Sequence, residues 1–348
     1  MTLEPSREPA PAAPEERIER PPAAARLRAV PGLAVVARHL GVIVSVAAVA
    51  GFVVWALGQD TPKFPSDPAD IALVGGAVLV YAFATAVRGW RWHRIMRHNG
   101  IPHSRTDAYM LCVVGYACNN VLPARGGELL RIYLMGQRSG ARKREVLGTV
   151  LAERVLDAVS LALLLVILSV GRVAGSSPGD SRTLAAVGAL VVVSSVFVIA
   201  MLLHRGERLQ RVMGLLRPIM AASRRLVSPY GAILLVVTMG IWALEGTIFW
   251  MIGRSLGIAI TPWEGLFVLV LSGFFTLIPA APGYVGTFEA GVLVGLSRLG
   301  VSGGTAVAFA LLVRFVMYVP ITVVGLGFLI ARYGGLQLLR SRRWEQPA

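Results

Sequence analysis

The chain has 348 residues, is 55% hydrophobic and only 15% charged, and carries a formal net charge of +15 with a mean hydropathy of +0.66. Soluble domains hold roughly 25% charged residues, so this composition excludes a soluble globular protein and predicts an all-α, polytopic helical membrane protein. The apolar runs do not alternate with polar residues, which excludes a β-barrel.

Residues 1–34, rich in Pro, Ala, Glu and Arg, read as a disordered cytoplasmic tail. A transmembrane domain over 35–335 and a basic cytoplasmic tail over 336–348 follow. About six full spans are expected, near 40–58, 70–88, 146–170, 183–203, 231–253 and 305–331. Two more apolar segments, near 107–136 and 263–298, are interrupted by Pro and Gly. Segment 208–225 mixes apolar residues with arginines and reads as an interfacial amphipathic helix.

The arginines orient these spans. They concentrate in the N-terminal tail, in 88–106, in 137–145, in 205–225 and after 332, and all five stretches are expected in the cytoplasm together with both termini. The basic excess therefore predicts contact with anionic headgroups and no nucleic-acid partner, since no basic folded domain is present to carry one. Both ends of the first broken segment are then cytoplasmic, and span counting puts both ends of the second outside. Two opposed re-entrant segments in an inverted-repeat arrangement result. Two thin crossings per segment satisfy the same charges.

The first break contains Asn119, Asn120, Pro123, Arg125, Gly126, Gly127, Glu128 and Arg131. Proline stops the incoming helix and the glycines permit close packing. Glu128 and Arg131 share a face if a helix resumes. Glu153, Arg154 and Asp157 follow in the third span, where Arg154 and Asp157 have ion-pair spacing. Glu245 and Arg314 lie deep in the last two spans and are expected to pair with each other or with the break residues. The second break holds Pro279, Pro282, Gly283, Gly286, Thr287 and Glu289. Thr287 is the expected N-cap of the resuming helix, whose terminus either attracts a lipid phosphate or is neutralised by Glu289. Gly291 and Gly295 signal close helix packing. Arg88-Gly89-Trp90-Arg91-Trp92-His93 reads as a headgroup-level anchor. Cys112 and Cys118 share one apolar run and point to packing, not a disulfide. No metal-spaced Cys/His cluster, cofactor motif or catalytic signature occurs, so no metal, no cofactor and no enzymatic activity are expected.

The N-N-x-L-P-A-R-x-G-E-x-x-R stretch at 119–131, the E-R-x-x-D at 153–157 and the P-G-x-x-G-T-x-E at 282–289 resemble the lysylphosphatidylglycerol synthase transmembrane region, a flippase-like family of integral membrane proteins. The resemblance covers about 35–335. It implies handling of a polar lipid, with a phospholipid or other polar lipid as partner. In two-part members of that family a soluble C-terminal domain aminoacylates the lipid. Here the chain stops soon after its last span, so aminoacylation is not expected. A separately encoded lipid-modifying enzyme is an admissible partner.

The resulting expectation is a bacterial inner-membrane (plasma-membrane) protein that translocates a charged or polar lipid headgroup through a cavity between the two breaks. Two alternatives stand beside it. One is a membrane glycosyltransferase, or its accessory, acting on lipid-linked sugars. The other is a non-catalytic scaffold of a lipid-modifying complex.

Overall fold

The structure is a computed structural model that describes residues 50–51, 53–122, 126–172, 228–276 and 282–334. The tails at 1–34 and 336–348, most of the span at 40–58, the span at 183–203, the amphipathic segment 208–225, and Pro123, Arg125 and Pro279 lie outside these residues. Among the described residues every regular element is helical.

Eight α-helices follow in order: α1 (Pro68–His98), α2 (Arg105–Val121), α3 (Gly126–Ser139), α4 (Lys143–Arg172), α5 (Pro229–Ser255), α6 (Pro262–Phe275), α7 (Thr287–Ser297) and α8 (Gly303–Arg332). A single 3-10 turn, Pro282–Tyr284, precedes α7. Among the described residues three helices, α1, α5 and α8, are long and apolar enough to cross a membrane. α4 is equally long at 30 residues but carries Glu153, Arg154 and Asp157 in its first half.

Local sequence sets the helix ends. Pro68 and Pro229 occupy the first turns of α1 and α5, where a missing N–H removes no helical bond. Ser104 caps α2 by accepting from the Asp107 N–H at 3.0 Å, and Thr261 forms a reciprocal capping box with Glu264 at the start of α6. Pro320 lies inside α8, a position that neighbouring helices make tolerable in a membrane protein.

α1 extends past the expected end of its span at residue 88 and runs on to His98. The basic stretch 88–98 is therefore helix, not loop. Arg88 and Arg91 remain inside because Glu245, Glu153 and Asp157 on other helices meet them.

Each broken segment is a pair of short helices packed on one another. A Cβ placed on Gly127 of α3 would lie 2.1 Å from the Gly115 carbonyl oxygen of α2. In the second pair, a Cβ on Gly291 would lie 2.6 Å from Ser272 Cα, and one on Gly295 would lie 3.0 Å from a Val268 side-chain carbon. The G-x-x-x-G thus packs α7 against α6, as its spacing predicts. Cys112 and Cys118 are both buried free thiols.

Two large apolar clusters, and a smaller one of Ile95, Ala152, Leu156 and Leu234, hold the described helices. One large cluster centres on Phe249, Phe309, Leu165 and Val292, the other on Trp92, Leu111, Met135 and Val146. α1 contributes Ala77 to the first and Trp92 to the second, and Arg88 falls between them in sequence.

Candidate functional site: a buried, charge-balanced network

α4 presents Glu153 and Asp157 one turn apart on one face. Glu153 is fully buried and pairs with Arg131 of α3 through one carboxylate oxygen. Its other oxygen accepts from Arg91 Nη2 at 3.5 Å. Arg91 Nη1 also donates to Asp157 Oδ1 and to Thr238 Oγ1, both at 2.8 Å. The Arg131 guanidinium lies 3.7 Å from the centroid of the Trp92 ring, whose indole N–H donates to Thr149 Oγ1 at 3.0 Å. Stacking on an aromatic face suits the weakly hydrated guanidinium.

A neighbouring pair joins α1 to α5. Arg88 Nε and Nη2 donate to Glu245 Oε1 at 3.1 and 2.7 Å, and Nη1 donates to the Tyr116 hydroxyl at 3.4 Å. Glu245 therefore does not pair with Arg314. It faces α1, so its partner is the cation that the headgroup-anchor reading had left at the membrane surface. That reading is corrected: Arg91 and Trp92 are 0% exposed. Arg88 and Arg91, three apart on one helix face, are the site members missed by hydropathy. Arginines recur every third residue from 88 to 97, so spacing alone does not single out the two that are buried.

The network opens at one corner. Arg154 lies 3.5 Å from Glu128 Oε1 and 3.5 Å from Asp157 Oδ2. Its side chain is 29% exposed and that of Glu128 18%, whereas Arg91 and Glu153 are closed off. Four arginines (88, 91, 131, 154) meet four carboxylates (128, 153, 157, 245), so the network is neutral. A single charge left alone at this depth would cost on the order of 3 kcal/mol or more.

The breaks hold the polar residues that begin the short helices. Asn119 Oδ1 accepts the Glu128 N–H at 3.2 Å, satisfying a backbone donor that the break frees. Asn120 Nδ2 donates to Thr322 Oγ1 of α8 at 2.9 Å. In the second break Gly283 (φ 68) turns the chain, and its carbonyl accepts from Arg314 Nη1 at 2.8 Å. Glu289 Oε2 accepts the Gly286 N–H at 2.7 Å while Oε1 binds Arg314.

The N-cap position of α7 is Gly286 (φ 91), not Thr287, because only glycine takes that backbone angle without strain. Thr287 is the first helical residue and its hydroxyl donates to the Tyr284 carbonyl at 3.2 Å. Of the two readings of this terminus, the structure has Glu289 neutralising it. The two breaks meet: a Cβ at Gly283 would lie 3.5 Å from the Asn120 carbonyl oxygen.

An apolar groove of about 400 Å³ lies between α1, α2 and α8, lined by Tyr81, Thr85, Tyr109, Pro320 and Phe328 among others. Thr85 is one helical turn from Arg88, which brings the groove up to the network. Among the described residues no three of His, Cys, Asp or Glu are grouped to hold a metal.

Known proteins are similar to this chain in sequence. A UPF0104 membrane protein of Methanothermobacter thermautotrophicus is 24% identical over 285 residues, covering 74% of this chain and 84% of its own. A second UPF0104 membrane protein, from Methanocaldococcus jannaschii, is 23% identical over 214 residues, covering 60% and 90%. Glycosyltransferase AglD of Haloferax volcanii is 29% identical over 120 residues, 34% of this chain and 19% of that protein. All three sources are archaeal, so these relatives lend no support to a bacterial origin. The family described as the lysylphosphatidylglycerol synthase TM region matches residues 40–325. This chain is a multi-pass membrane protein and belongs to that family.

Proposed function

We propose that the protein binds a polar or charged lipid headgroup at the open corner of the network and carries it across the bilayer while the acyl chains stay in apolar surroundings. The observation that carries this reading is the Glu128–Arg154 pair. It is the most exposed contact of a network otherwise sealed inside apolar helices. A guanidinium presents a planar fork to phosphate oxygens, and the adjacent carboxylates of Glu128 and Asp157 suit a cationic headgroup substituent. Asn119 borders the same corner through its bond from the Glu128 N–H. The apolar groove beside Arg88 offers a wall for an acyl chain.

In this reading the two helical hairpins enter the membrane from opposite faces as an inverted repeat, with both termini in the cytoplasm. Unwound backbone in a membrane is stable where it is buried in protein or lines a cavity, and transport sites form where such breaks face each other. The contact between Gly283 and Asn120 supports it.

Reconstitution into vesicles with fluorophore-labelled phospholipids of varied headgroup, followed by quenching of the outer leaflet, tests the proposal. At least one headgroup class moves between leaflets faster than in protein-free vesicles. A broad panel in which none moves overturns it.

A second reading, an accessory or catalytic role on lipid-linked sugars, draws on the likeness to glycosyltransferase AglD. Transfer of a labelled sugar from a nucleotide donor to a polyprenyl phosphate by the purified protein would establish it.

A further inference from the structure

The helices repeat their order: α1 to α4 run long, short, short, long, and α5 to α8 do the same. The match reaches individual positions. A left-handed glycine stands two residues past α1 and two past α5, Gly100 (φ 73) and Gly257 (φ 72). Next comes a hydroxyl cap, Ser104 and Thr261, each bonded to the N–H of an acidic residue three positions on, Asp107 and Glu264. A Cβ on Gly89 would lie 3.2 Å from Tyr109 Cα, and one on Gly246 would lie 3.0 Å from Leu266 Cα. Both contacts join a glycine nine residues before its helix ends to the fifth residue of the next helix.

Past the breaks the correspondence includes charge. The third residue of α3 is Glu128 and the third of α7 is Glu289. Each pairs with the twelfth residue of the following long helix, Arg154 on α4 and Arg314 on α8. The rest of the network does not recur. The positions matching Arg131, Glu153 and Asp157 are Val292, Val313 and Met317. The Glu289–Arg314 pair stands without the polar surroundings of its counterpart, while Glu289 also accepts the Gly286 N–H and Arg314 also donates to the Gly283 carbonyl.

We infer that the eight described helices form two copies of one four-helix unit, and that Arg314 with Glu289 forms a second seat for a lipid phosphodiester, equivalent to Arg154 with Glu128. This rests on the headgroup reading above. At each seat the phosphate displaces the carboxylate and takes a bidentate contact with the guanidinium. Both arginine side chains are partly exposed, 29% and 18%. The breaks leading to the two seats touch at Asn120 and Gly283, so both seats border one junction.

The test titrates the full-length protein in lipid-free micelles with a fluorescent short-chain phosphatidylglycerol. Two molecules bind per chain. Arg154→Gln and Arg314→Gln each remove one, and Arg314→Lys, which keeps the cation, retains it. Glu289→Gln removes the competing carboxylate and tightens binding at the second seat by on the order of tenfold. That gain is independent of whether Arg314→Gln folds. Displacement by glycerophosphoglycerol but not by equimolar inorganic phosphate assigns the seat to a lipid headgroup, and equal displacement by both overturns that assignment. One molecule per chain, lost in Arg154→Gln and kept in Arg314→Gln, overturns the second seat and leaves the headgroup reading standing. Absence of binding by the unaltered protein sinks the headgroup reading itself.

Discussion

Arg88 and Glu245 hold each other at 2.7 Å across the contact between α1 and α5, and each stands ten residues before its helix ends. The pair thus joins matching positions of the two halves. Around it Arg91, Arg131 and Arg154 meet Glu153, Asp157 and Glu128 within α1 to α4, so each buried charge has a nearby partner.

Removing one member of this pair strands the other in an apolar interior. Arg88→Ala or Glu245→Ala is expected to destabilise by about 3–5 kcal/mol, while the double change Arg88→Met with Glu245→Met costs far less. Thermal unfolding midpoints in detergent for the three variants check this. Equal losses in single and double variants would contradict a coupled pair.

Gly127 is fixed by space. A Cβ there would lie 2.1 Å from the Gly115 carbonyl and 2.6 Å from the Asn119 nitrogen, both backbone atoms that cannot step aside. Gly127→Ala should separate α2 from α3 and lower stability by roughly 1–3 kcal/mol or more. Gly240→Ala, with no atom within 4 Å of its Cβ, should be neutral or slightly stabilising in the same unfolding assay.

The two carboxylates that serve arginines from α3 and α4 differ in weight. Glu153 is sealed and meets both Arg91 and Arg131, whereas Glu128 is partly exposed and meets Arg154 alone. Glu153→Gln is expected to cost about 3–5 kcal/mol and Glu128→Gln about 1 kcal/mol or less. A reversed order in denaturation would mean that the exposed corner, not the sealed centre, carries the packing.

At one end of the bundle Asp107 accepts from Ser104 Oγ at 2.8 Å, the Tyr333 hydroxyl at 2.9 Å and Arg332 Nε at 3.3 Å. Burial works to raise its pKa, but the bonds from Ser104 and Tyr333 and the charges of Arg138 and Arg332 outweigh it and hold the carboxyl below its ordinary range. Burial and the Asp107 carboxylate push the Tyr333 phenol up to about 12, so it stays a donor. A depressed carboxyl contributes stability above its unfolded pKa and loses it as pH falls through the folded value. The unfolding midpoint should therefore drop as pH falls below about 4. Asp107→Asn should lower it at neutral pH by on the order of 1–3 kcal/mol and flatten the acid limb.

Local signals in the sequence located the breaks and the short-range ion pair. Proline and glycine marked where α3 and α7 begin, and a spacing of three placed Arg154 beside Asp157. Hydropathy ended the second span at Arg88 because it treats every arginine as water-seeking. The partners that let α1 continue, Glu153, Asp157 and Glu245, lie 62 to 157 residues away and leave no local trace. The cap of α7 was misread by one residue because a threonine hydroxyl is the commoner cap, while the chain there needed a positive φ that Gly286 supplies. Arg314 did find a break residue, Glu289, but Glu245 turned to a helix whose facing side only the fold reveals.

The balance of the network has an electrical consequence. Moving one elementary charge through a potential of 100 mV involves about 2.3 kcal/mol of work. Arg88, Arg91, Arg131 and Arg154 offset Glu128, Glu153, Asp157 and Glu245, so these helices can shift together across the field with almost no such work. If the protein carries a lipid as proposed above, membrane voltage acts on the charged headgroup at the open corner and hardly on these helices.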